Sequence, residues 1–263
     1  MPRLHLFEFG DLPWLPRALR DGLTGYLEAL VTRFAFFKPI VPKLNDLLAR
    51  TGQHRIVDLA AGAGGPLVGI LGFLRAADGA PVEVQLTDRF PNLQAFRRAA
   101  ERTGGAISFS SEPVDALAVA PELTGVRTVF NAFHHFRPDS ARGILRDAAL
   151  QKQPIAIFES TERSALAAFT LMLFSPLQVL LVTPSVRPLR ASQVVFTYLL
   201  PVLPLIITWD AVISCLRAYS PDELLSLAKE AAPEGYTWEA GQVRIPKTLS
   251  HITYLIGAPA HST

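Results

Sequence analysis

The chain has 263 residues, enough for one sizeable domain or two small ones. Charged residues make up 18% and apolar and aromatic residues 49%, against about 25% charged in an average soluble domain, which excludes intrinsic disorder. A formal charge of +2 leaves no electrostatic footprint for nucleic acid, and the single cysteine, Cys215, excludes a disulfide framework or a cysteine-rich zinc site and fits a reducing cytoplasm.

Met1 to Gly10 carries Glu8 early and has no long apolar run, unlike a signal peptide. Residues 1–50 read as an N-terminal helical cap. Leu15, Leu19, Leu23, Tyr26, Leu27 and Leu30 recur at helical spacing, Pro13 and Pro16 suit a first turn, and a second helix follows Pro42 and ends near Gly52.

Residues 51–163 alternate between short apolar runs and helical patterns. Strands are expected at Arg55 to Leu59, Val82 to Asp88, Ala106 to Ser110, Thr128 to Phe133 and Pro154 to Glu159. Helices are expected at Pro66 to Arg75, Asn92 to Arg102 and Asp139 to Leu150. Alternation at this spacing implies parallel strands joined by right-handed crossovers, hence an α/β, doubly wound sheet. In residues 217–263, Ser220-Pro221-Asp222-Glu223 opens a helix, and Tyr236 to Ile245 and His251 to Gly257 read as an antiparallel strand pair.

The segment Val57-Asp58-Leu59-Ala60-Ala61-Gly62-Ala63-Gly64-Gly65-Pro66 is a strand ending in an acid, then a glycine-rich turn, then a helix, so a ligand can lie against bare backbone. A dinucleotide fingerprint would need glycine where Leu67 stands. With its acid before Gly62-Ala63-Gly64, a second acid at Asp88, a third at Asp115 and the run Phe130-Asn131-Ala132-Phe133-His134-His135-Phe136, the chain resembles the class I S-adenosylmethionine-dependent methyltransferases over roughly residues 50–163. Residues 220–257 would complete their Rossmann-like seven-stranded sheet.

That resemblance implies S-adenosyl-L-methionine as cofactor, held by Asp58, Ala60, Gly62, Gly64, Asp88, Asp115 and Asn131. Asp88 would take the ribose hydroxyls and Asp115 would lie beside the adenine. Ala60 stands where members often have glycine. Each position also has a plainer reading: Asp58 and Asp88 as helix caps, Gly62 and Gly64 as an empty tight turn, Asp115 as a surface turn. An acceptor that must lose a proton would need a base. His135, His134 and Glu159 are the candidates in that order, against structural histidines and a solvated strand-end glutamate. The two histidines are expected to point in different directions, and no metal is expected.

Ser164 to Val186 and Ala191 to Trp209 are uncharged stretches within a hydrophobic, mostly helical insertion, residues 164–216. Each is long enough to span a bilayer. Pro176, Pro184, Pro201 and Pro204 interrupt them, and Arg187 and Arg190 lie between them, against the positive-inside tendency. Three readings stay open: a buried lid over a small hydrophobic substrate, an interfacial hairpin at the inner membrane face, or transmembrane helices. A homodimer interface overlaps with the first. Phe7 to Pro16 is expected to pack at the same mouth, with Trp14 and Trp209 as pocket or interface aromatics, and Cys215 reads as a small buried group. The expected function is methyl transfer to a small or lipid-like hydrophobic acceptor. The alternatives are non-methylating chemistry on the same cofactor and a membrane-associated scaffold without activity.

Overall fold

Short β-rich runs with no polar face can be buried only in the middle of a layered domain, and this is where they lie. The computed structural model describes every residue except 35, 77, 232–234, 247, 249 and 261–263, so the last three residues of the expected C-terminal part are outside the described residues. Five parallel strands, β1 (Arg55–Asp58), β2 (Glu83–Leu86), β3 (Ile107–Phe109), β4 (Val126–Phe130) and β5 (Ile155–Glu159), are joined by β6 (Tyr236–Arg244) and β7 (His251–Pro259). The sheet order is β3-β2-β1-β4-β5-β7-β6, with β7 antiparallel to both β5 and β6. Every residue of β4 and β5 is buried.

Two apolar clusters cover the two faces. On one face α2 (Val41–Thr51), α3 (Gly65–Ile70) and α4 (Leu93–Arg102) contribute Leu44, Leu47, Leu67, Ile70 and Phe96. On the other, α5 (Pro138–Leu150) and α9 (Pro221–Ala231) contribute Ile144, Leu145, Leu224 and Ala228. A third cluster joins α1 (Arg17–Phe34), α6 (Ala165–Val182) and α8 (Val202–Arg217) through Tyr26, Val179, Val182, Leu203 and Ile207. A single turn, α7 (Ala191–Val194), and a π turn at Val195–Leu199 precede α8. Arg127, fully buried on β4, is paired with Asp147 on α5 at 2.6 Å and with Gln151, just past the end of α5, at 2.9 Å, because a buried guanidinium must be paired.

Several expected boundaries shift for local reasons. The helix expected over Pro66 to Arg75 ends at Ile70 and tightens into a 3-10 turn at Leu71–Phe73, with Gly69 and Gly72 weakening helix propagation and Arg75 N–H donating to the Asn45 side chain. The fourth strand stops at Phe130, not Phe133, since Asn131 adopts a φ of 48° and Phe133–His135 form a 3-10 turn whose first amide, at Phe133, donates to the Glu159 carboxylate. Helix α1 begins only after Pro16, whose carbonyl accepts from Leu19 and Arg20. Pro176 does not break α6: one hydrogen bond is lost and the helix continues to Val182. The second apolar stretch breaks near Pro201, where the two helical pieces turn by 81°.

Candidate functional site

Strands β1 and β4 are neighbours, but the chain leaves β1 towards β2 and leaves β4 towards β5. The crevice outside their carboxyl ends is therefore the topological switch point, where open α/β sheets bind ligands. The glycine-rich turn lies at that edge. It is pinned from both sides, by Leu59 N–H donating to the Thr128 carbonyl at 2.8 Å and Ala61 N–H to the Thr87 carbonyl at 3.0 Å. Ala60, Gly62 and Gly64 have φ of 52°, 58° and 72°. Ala60 therefore occupies the left-handed region where alanine is disfavoured, a local strain that the two flanking backbone bonds hold in place.

The two glycines serve different ends. A Cβ on Gly64 would stand 2.5 Å from Leu86 Cδ1, so this glycine lets the turn close on β2. A Cβ on Gly62 would meet nothing within 4 Å, so the backbone there faces open space. Helix α3, which follows, has only six residues, so the bare backbone and not a helix dipole is the useful feature here.

Neither Asp58 nor Asp88 caps a helix. Asp58 is buried, accepts from the Thr128 hydroxyl at 2.6 Å, and burial pushes its carboxyl up to about 8. That bond ties its carboxylate to β4. Asp88 is half-buried at the end of β2, accepting from Gly62 N–H at 2.9 Å and Phe90 N–H at 2.8 Å. Asp115 is joined to it through Val114 N–H, which donates to the Asp88 carbonyl at 2.9 Å; the Asp115 carboxylate accepts from Leu117 N–H. The Asn131 side chain is spent on Ser160, accepting from its backbone N–H at 2.7 Å and donating to its hydroxyl at 2.9 Å, which ties the ends of β4 and β5 together. The structure thus brings Asp58, Ala60, Gly62, Gly64 and Asp88 around one turn, with Asp115 adjoining through Val114.

The candidate bases form a second group. Glu159 is buried, not solvated: it accepts from Phe133 N–H at 2.7 Å and lies 2.6 Å from His134 Nδ1. Burial alone would raise its carboxyl, but the His134 charge and these hydrogen bonds hold it below the usual range. His134 and His135 do not diverge as expected. Their rings lie 4.3 Å apart between centroids, and both Nε2 atoms face the buried carboxylate of Glu8, at 3.9 and 3.8 Å. Burial pushes Glu8 up to about 7, with His135 and Arg217 opposing. Asp11 accepts at 2.9 Å from His135 Nδ1 and at 2.7 Å from Arg217.

Sequence reasoning missed Glu8, Asp11, Arg217 and Thr128. The available signal was a lone acid between two aromatics, Phe7-Glu8-Phe9, and a lone arginine closing an apolar helix, since an isolated charge in an apolar run usually finds a buried partner. Trp209 N–H donates to the Phe7 carbonyl, which places the N-terminal segment against α8, whereas Trp14 stands exposed. Cys215 is buried as expected.

The strand order and the turn at the switch point define the fold as that of the class I S-adenosylmethionine-dependent methyltransferases. Solved structures share it at low identity. The pyocyanin biosynthetic protein PhzM superposes with a TM-score of 0.51 at 15% identity, covering 87% of this chain and 55% of that one. An O-methyltransferase family protein from Burkholderia thailandensis gives 0.51 at 16%, covering 90% and 59%. Human N-acetylserotonin methyltransferase in complex with SAM gives 0.54 at 10%, covering 93% and 56%. The chain thus spans little more than half the length of these proteins. No protein-family model matches it, and no curated protein does.

Proposed function

We propose that the chain transfers a methyl group from S-adenosyl-L-methionine to a small or lipid-like hydrophobic acceptor. The observation that carries this reading is the open backbone at Gly62, with no atom within 4 Å of a would-be Cβ, beside the Asp88 carboxylate at the switch point of this fold. The residues fit the cofactor: Gly62 to Gly64 form the cradle, Asp88 has acceptor capacity for a ribose diol, Asp115 adjoins it, and Asp58, Ala60 and Asn131 hold the edge in shape. When bound, the cofactor supplies an activated methyl on a sulfonium, so the protein's task is chiefly to position an acceptor in line and exclude water. Of the three side chains expected to take a proton, Glu159 and His134 are spent on each other in the interior. His135, one-third exposed and oriented by Asp11, is the accessible one.

Asp88→Ala is expected to weaken cofactor binding by about 1.5–3 kcal/mol, roughly 10- to 150-fold, the range for a hydrogen bond to a charged group. Calorimetric titration with S-adenosylhomocysteine measures this. An unchanged affinity in a variant that melts like the wild type removes the ribose assignment. A failure of the wild type to gain melting temperature at millimolar ligand would favour the inactive scaffold. Once an acceptor is found, methyl-labelled cofactor separates the remaining alternative, because non-methylating chemistry leaves the product unlabelled.

The apolar acceptor is supported by α6, which packs with α8 on α1 but turns Leu166, Phe169, Met172, Leu173, Leu177 and Leu181 to the outside. Among the described residues one helical span, Ala165–Ser185, is long and apolar enough to cross a membrane. An apolar face of this extent on one side of a helix pair favours a lipid surface as its occupant. Flotation with anionic liposomes is expected to carry the protein upward, and Phe169→Glu with Leu173→Glu to abolish that. Wild type remaining wholly at the bottom of the gradient would favour the lid.

A further inference from the structure

The group around Glu8 has a composition that proton acceptance does not require. The His134 imidazole is buried; its Nδ1 is taken by Glu159, while its Nε2, with almost no solvent contact, has no hydrogen-bond partner among the described residues. A buried polar atom left unpaired in this way is uncommon and calls for an occupant. That nitrogen faces the Glu8 carboxylate, and so does His135 Nε2, at 3.9 and 3.8 Å. These separations are too long for hydrogen bonds. One donor atom from each of Glu8, His134 and His135 lies within 4.8 Å of the others.

We propose that Glu8, His134 and His135 hold a divalent first-row transition-metal ion. Two imidazoles and one carboxylate form the donor set that such ions take when a coordination position is left open for water or substrate. Metal bonds of about 2.1 Å in a tetrahedron place donors roughly 3.4 Å apart, so donor atoms that already lie within 4.8 Å of one another close by about 1 Å or less each when an ion enters. The outer groups are already in place. Glu159 sits 2.6 Å from His134 Nδ1, and a carboxylate on Nδ1 favours the tautomer that offers the Nε2 lone pair to a metal; His135 Nδ1 lies between Asp11 at 2.9 Å and the Arg217 guanidinium at 3.3 Å.

Charge points the same way. Glu8, Asp11, Glu159 and Asp210 bring four carboxylates to this region, whereas Arg217 and Arg3 bring two guanidinium groups. The carboxylates outnumber the guanidinium groups, an excess of acceptors that suits a cation. Arg217 donates to Glu8 at 3.0 Å and Asp11 at 2.7 Å and holds the carboxylates in position. The ligands come from the N-terminal segment and the turn after β4, with α8 supplying the arginine, so the site exists only in the folded chain. A bound cation uses the His135 lone pair, so in that state His135 is a ligand and not a base. The inference does not depend on methyl transfer.

The test uses the full chain, stripped with chelator and titrated with Co2+. Expected are one equivalent bound, a visible d–d absorption band, displacement of that band by Zn2+, and a rise in melting temperature. His135→Ala, on the most exposed of the three ligands, and Glu8→Gln are each expected to weaken Co2+ binding at least tenfold. His54→Ala, on the far surface beside Asp78, should leave it unchanged. Folded wild type showing no d–d band, or a band that persists in both folded ligand variants, overturns the site. Cofactor titration of the same stripped protein reports on the methyl-transfer reading separately.

Discussion

Glu159→Ala is expected to destabilise the protein by about 3–5 kcal/mol, the range for removing one member of a buried charged pair. The carboxylate receives Phe133 N–H and His134 Nδ1 in the buried interior, so truncation leaves both donors unpaired there. Because the same side chain folds the turn carrying His134 and His135, the variant should also lose the alignment of the two rings on Glu8. Glu159→Gln retains an acceptor for Phe133 N–H and should recover a large part of the stability. Equilibrium denaturation measures both. A loss below about 1 kcal/mol for the alanine variant would mean that the buried pair is not what holds the turn.

Gly64→Ala carries the second large effect. A left-handed φ of 72° costs an alanine about 1–2 kcal/mol, and a Cβ placed 2.5 Å from Leu86 Cδ1 adds about 1–3 kcal/mol of overpacking. The sum, about 2–5 kcal/mol, should come with loss of cofactor binding, because relief requires the turn to lift away from β2. Gly62→Ala provides the contrast. Its φ of 58° costs a similar 1–2 kcal/mol, but its methyl group meets no atom within 4 Å, so no overpacking adds to that cost while the group projects into the proposed cofactor crevice. Unchanged cofactor affinity in Gly62→Ala, measured by calorimetry, would show that the open backbone is not the contact surface.

Much of the sheet was legible because β1 and β5 are buried runs of Ile, Val, Ala and Phe with no polar alternation, and because helices of regular period separate them. The turn was legible for a similar reason: Gly62 and Gly64 after an acid mark a backbone that needs positive φ next to a strand end. The strand boundary at Phe130 was not. Whether Asn131 continues a strand or turns left-handed depends on its two bonds to Ser160, which lies 29 residues away.

Local pattern by itself determined the alternation of elements, the glycine turn and the apolar character of residues 164–216, since each depends on side chains a few positions apart. Only the tertiary structure decided that Asp58 is buried against Thr128, that α6 leaves a face of leucines and phenylalanine uncovered, and that Glu8, Asp11 and Arg217 meet His134 and His135. Glu8 and His134 are 126 positions apart in sequence, and Arg217 lies more than 80 positions beyond them. No period or propensity links such residues; they meet because the seven strands fix where the end of β4, the end of α8 and the N-terminal segment arrive, and because a buried carboxylate must lie close to cations or protons there.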